Sequence, residues 1–156
     1  MERTETLDAW IFNEAERRNK KAEGLETASE QMAVFMHIPW DMQGEMLQRS
    51  IDYAYGRTDE LESMMKDSPD SLMHFYVNGQ LDEMYAYSIG AMDTESPRDS
   101  IFIHYFLTRR NYIMVDRLEN YMPQGKCFVA VGALHLPGPD GQIAILRKRG
   151  YTVRKR

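Results

Sequence analysis

Four side chains in this 156-residue sequence have the chemistry and the spacing of a reactive site: His135, Glu26, Arg110 and Asn111. His135 closes Gly132-Ala-Leu-His135, between the apolar run Cys127–Val131 and a stretch holding Pro137, Gly138, Pro139 and Gly141. A neutral imidazole is a general base or a metal ligand near pH 7; its plainer role here is a loop histidine with its hydrogen bonds satisfied. Arg110 falls in the one polar gap of an apolar helical stripe, Ile103, Leu107, Met114, Leu118 and Tyr121. A guanidinium cannot shed its charge, so an inward arginine needs a carboxylate, carbonyls or a bound anion. Glu26 is the first-choice partner; a snorkelling arginine at the edge of the interface is the alternative. Asn111 borders the same stripe, on the side of His104, Leu107 and Val115. There it either holds a substrate carbonyl or oxyanion, or is simply solvated.

These groups converge only if the elements around them bring them together. Cys127 to Val131 is too short for a buried helix and suits a strand covered on both faces. Pro139 and Asp140 suit the first turn of a following helix, with Ile143, Leu146 and Arg147 on one face and Gly150 at its end. Tyr151-Thr152-Val153 reads as a returning strand. The expected fold is therefore α/β: a helix-rich single domain, 1–156, around a small, mostly parallel sheet with a C-terminal βαβ unit. In that arrangement the 132–141 loop lies at the carboxyl ends of the strands, where open α/β sheets bind ligands.

Upstream, the spacing predicts an amphipathic helix over 6–21 and a brief strand over 22–25 ending at Glu26. Thr27 with Glu30 forms a capping box opening a helix over 28–37, and Pro39 separates that from a helix over 40–54. Glu26 then faces the same crevice as His135, or simply sits at the positive end of the 28–37 helix. Residues 58–95 suggest three short helices, and 99–121 one long helix.

A net charge of −5 argues against nucleic acid, whose binders concentrate basic surface. The glycines around 132–141 fit neither G-x-G-x-x-G nor a P-loop, and Asp140 would repel a phosphate. A lone cysteine, Cys127, rules out an intrachain disulfide and is expected to be a small core side chain. No apolar stretch approaches the length of a membrane span, and the first residues lack the apolar core of a signal peptide.

Phe128-Val-Ala-Val-Gly-Ala-Leu-His-Leu-Pro-Gly138, with Gly141 and Leu146-Arg-Lys-Arg-Gly-Tyr-Thr-Val153, resembles the C-terminal signature of the TraB/GumN family, which includes Tiki-type metalloproteases. Glu23-Gly-Leu-Glu-Thr27 and Arg110-Asn111 resemble that family's elements in the same order. The resemblance implies a metal-dependent hydrolase of peptidase type, with His135 and Glu26 as candidate ligands for Mn, Co or Zn and Arg110 and Asn111 in the site. It further implies a peptide or protein substrate and an extracytoplasmic setting. The family carries two Gly-x-x-His motifs. Here Gly132-Ala-Leu-His135 is the only one, since His37, His74 and His104 have no glycine at that spacing. The expectation is a C-terminal half of such a domain, two ligands at most, and little activity alone, a usual catalytic centre needing three. The alternative is a non-catalytic module that pairs with an N-terminal half or with itself.

Overall fold

A computed structural model describes residues 6–57, 68–90, 92 and 96–155. Every regular element among them is helical. Helix α1 spans Leu7–Arg17 and starts where the Thr6 hydroxyl accepts the Ala9 amide. Helix α2, Ala28–Ala33, opens with the expected capping box: Thr27 Oγ1 accepts the Glu30 amide, and the Glu30 carboxylate accepts the Thr27 amide. It runs into a 3-10 turn, Val34–His37, before helix α3, Trp40–Ala54. Helices α4, Ser68–Val77, and α5, Leu81–Gly90, form an antiparallel pair about the positive-φ turn at Gly79. The expected elements between 58 and 67 lie outside the described residues.

The long helix predicted over 99–121 is present as two α segments with a break in step. Helix α6, Pro97–Ile103, passes through a π-turn, His104–Thr108, into helix α7, Arg109–Tyr121. A second 3-10 turn, Met122–Gln124, leads to an irregular stretch. A third, Ala133–His135, precedes helix α8, Gln142–Lys148. The core is the seam between α7 and its neighbours: Met114, Val115 and Leu118 pack with Ile145, while Val34, Ile38, Met42 and Met84 lie buried beside other segments.

The α/β expectation is overturned. Among the described residues there is no strand, so neither the sheet nor the βαβ unit exists here. Lys126–Val131 is irregular and faces solvent up to Ala130, with Phe128 80% exposed and Cys127 exposed rather than in the core. Residues 22–25 and 151–153 are likewise irregular. The physical reason is that a strand's backbone donors and acceptors are satisfied by a neighbouring strand. Apolar, β-branched composition states a preference that pairing must realise. In α8 the buried positions are Gln142 and Ile145, one face round from the predicted Ile143, Leu146 and Arg147, because α8 lies against α7.

Candidate functional site

Two polar clusters sit on the inner side of α7, one residue apart in sequence. At the first, Arg110 reaches 84 residues back to Glu26: Nε donates to Oε1 at 2.9 Å and Nη2 to Oε2 at 2.7 Å. This two-toothed geometry suits a planar guanidinium on a carboxylate. Arg110 Nη1 also donates to the Phe106 carbonyl at 3.2 Å. The carboxylate side chain is only 5% exposed and the guanidinium side chain 19%. The inward Arg110 and its Glu26 partner therefore stand as the sequence suggests, although Glu26 arrives on a loop ahead of α2 and not at a strand end. Arg117, two turns further on, fixes the same segment through the Leu25 carbonyl at 2.8 Å and the Glu30 carboxylate at 2.8 Å. The Arg117 guanidinium holds the Glu30 carboxyl down at about 2.

At the second cluster Asn111, 2% exposed, joins helix and loop. Its Nδ2 donates to the Asp140 carbonyl at 2.8 Å, which leaves Oδ1 facing His135 Nδ1 at 2.7 Å. An amide oxygen only accepts, so His135 must donate from Nδ1, and the lone pair of a neutral ring sits on Nε2. Burial of the ring, with the Arg110 charge adding to it and Glu26 opposing, lowers the His135 pKa below its ordinary 6.5. The imidazole is thus neutral and in one tautomer at pH 7. Asn111 is not the solvated surface asparagine its sequence position allows.

The loop that carries His135 is tightly wound. A side chain at Gly141 would put Cβ 1.9 Å from the Pro137 carbonyl oxygen, and one at Gly138, where φ is +88°, would strike the Tyr85 ring at 2.6 Å. No L side chain fits either position, so the loop closes on itself and on α5. Tyr112, facing outward, donates its hydroxyl to Asp140 Oδ1 at 3.1 Å and pins the loop from outside.

Of the four predicted site residues, Glu26 meets Arg110 and Asn111 meets His135, and both pairs are coupled through charge at the imidazole. Sequence reasoning missed the Asp140 and Phe106 carbonyls and the Tyr112 hydroxyl. A carbonyl carries no residue-type signal, and Tyr112 reads as an ordinary helix-surface tyrosine.

A family model for the TraB/PrgY/gumN family matches residues 1–155, essentially the whole sequence. The chain belongs to the TraB/PrgY/gumN family. No curated protein and no solved structure matches it.

The metal implied by the family resemblance can be tested against these side chains. Among the described residues no group of three or more His, Cys, Asp or Glu is placed to hold an ion. Both Glu26 oxygens are already bonded to Arg110. His135 Nε2 is a suitable single donor, and the residues present do not by themselves fit a catalytic centre of three protein ligands.

Proposed function

We propose that this chain supplies one face of a hydrolytic site of peptidase type, with His135 Nε2 as its reactive atom. The observation that carries the reading is the chain of bonds His135 Nδ1–H to Asn111 Oδ1 and Asn111 Nδ2–H to the Asp140 carbonyl. A histidine that ligates an ion or takes a proton has its other nitrogen held in this way, which fixes the ring and its tautomer. Burial and the nearby guanidinium keep the lone pair available at neutral pH. Arg110, with Glu26 balancing most of its charge, sets a positive edge beside the imidazole that favours an anionic or carbonyl oxygen of a substrate. A divalent ion at Nε2 would polarise such a carbonyl when bound, and its remaining donors would come from outside the described residues. Family membership supports this class of activity, and the fixed imidazole supports the role of His135.

The test is calorimetry with Mn²⁺, Co²⁺ and Zn²⁺ on the chain and on His135→Ala, beside a peptide-cleavage assay. The reading predicts weak binding and no turnover by the chain alone. Tight stoichiometric binding lost in His135→Ala, with peptide cleavage by the parent, would show that this chain holds a complete centre.

A second reading, a non-catalytic assembly module, draws on the exposed apolar surface. The chain exposes 11999 Å², against about 8,100 Å² for a compact monomer of 18.2 kDa. Trp40 is 87% exposed, and Leu47 and Met36 also face solvent. Light scattering that gives a strictly monomeric mass at every concentration would count against pairing with itself.

A further inference from the structure

The exposed residues of the α6–α7 helix show a single fault in their spacing. Pro97, Ser100 and His104 form one solvent-facing stripe, and Arg109, Tyr112, Asp116 and Asn120 form another. Apart from Arg98, exposed beside Pro97 in the first turn, the steps are of three and four, except for one step of five, from His104 to Arg109. That step spans the π-turn His104–Thr108, where the Arg109 amide donates to the His104 carbonyl. One residue of an α-helix turns the chain by about 100°, so a single extra residue rotates everything beyond it by that amount. Continued without the fault, the exposed stripe of α6 would pass through Thr108, Asn111 and Val115. In the structure Asn111 is 2% exposed and Val115 is 0% exposed.

What lies within and beyond the turn shows why the fault is needed. Within it, aromatic rings dock the 34–37 turn: Phe35 meets Phe106 edge-on at 5.6 Å, and His37 stacks on Tyr105 at 4.3 Å. Beyond it, Met114, Val115 and Leu118 fill the core. Both sets must face the protein, and one continuous α-helix cannot present both together with Arg110 and Asn111.

We propose that the π-turn His104–Thr108 is the positioning element of the site: its extra residue turns Arg110 and Asn111 inward to Glu26 and His135, without disturbing the aromatic contacts that Tyr105 and Phe106 make from the turn or the apolar core beyond it. Arg110 is tied back to the turn itself, through Nη1 on the Phe106 carbonyl. One-turn π segments inside α-helices recur at functional sites for this reason. The readout is the imidazole and not turnover, so failure of the hydrolytic reading leaves the proposal standing.

Two single deletions decide it. Deleting Thr108 takes the extra residue out of the turn, so the step from His104 to Arg109 becomes four and a regular α-helix carries Arg110, Asn111 and the core in their present phase. The His135 ring should then keep its single tautomer. Deleting Ile113 takes a residue from beyond the pair, so a regular helix keeps the aromatic contacts and the core in phase while Arg110 and Asn111 swing outward. The expected result is a retained helical circular-dichroism signal and Phe35–Phe106 contact by NMR, with a His135 ring that loses its single tautomer and titrates closer to the ordinary histidine value. A freed ring in a folded Thr108 deletion would overturn the proposal, and so would a ring as fixed as the parent's in a folded Ile113 deletion. Should the Ile113 deletion not fold, the parent chain decides through coupling across the Arg109 amide hydrogen bond. Coupling to the His104 carbonyl sustains the proposal, and coupling to Tyr105 overturns it.

Discussion

Cutting the Arg110–Glu26 pair from one side should be far more damaging than removing it whole. Arg110→Leu leaves the Glu26 carboxylate, 5% exposed, without the guanidinium that meets both its oxygens. Stranding a buried charge costs about 3–5 kcal/mol, and the partial exposure of Arg110 places this case at the lower end, about 3 kcal/mol. Glu26→Leu strands the guanidinium instead, but that group is 19% exposed and keeps the Phe106 carbonyl, so about 2 kcal/mol is expected. The double replacement strands no charge and fills the space with apolar atoms, so it should lie within about 1 kcal/mol of the parent. Together these give a coupling of about 4 kcal/mol, well above the additive case. Urea titrations of the four proteins at pH 7, followed by circular dichroism, measure it. A single Arg110→Leu variant as stable as the parent would refute the reasoning, as would a double variant that loses the sum of the two single losses.

Two further outcomes follow from the loop and the imidazole. Gly141→Ala must move the Pro137 carbonyl oxygen from 1.9 Å to beyond van der Waals contact; overpacking of this kind costs about 1–3 kcal/mol, and a urea midpoint equal to the parent's would contradict it. Because the His135 pKa is lowered from 6.5 on folding, the unfolded chain binds the proton more readily. That contribution to stability is present in full above about pH 6.5 and is lost as pH falls from there through the lowered folded value. His135→Gln should flatten this arm of the stability–pH curve, and an unchanged arm would assign the proton to another group.

The helices and the Arg110–Glu26 pair were legible in the sequence, the Asn111–His135 pair was not, and the sheet was not there to be read. Thr27 and Glu30 announce the start of α2 because both partners of a capping box lie within four residues. Trp40–Ala54 matches its predicted span because Pro39 and Gly56 bracket it. Arg110 points to Glu26 because a charge in an apolar stripe demands an opposite charge, whatever the distance along the chain. Cys127–Val131 misled because a strand depends on a neighbour, which its own residues do not encode. Asn111 was placed on the side of His104, and a regular helix would put it there. The π-turn separates them, leaving His104 exposed and Asn111 buried. A period of 3.6 carried across 99–121 cannot reveal one extra residue, whereas the partners of Asn111 do.

The account rests on a neutral His135 held through Nδ1 by Asn111, with Nε2 free to react. Long-range ¹H–¹⁵N correlation of the imidazole nitrogens across the neutral and mildly acidic range reads this directly. The account predicts a protonated Nδ1 and an unprotonated Nε2 at pH 7, with titration below 6.5. A proton on Nε2, or a rapidly averaging pair of tautomers with ordinary titration, would contradict it.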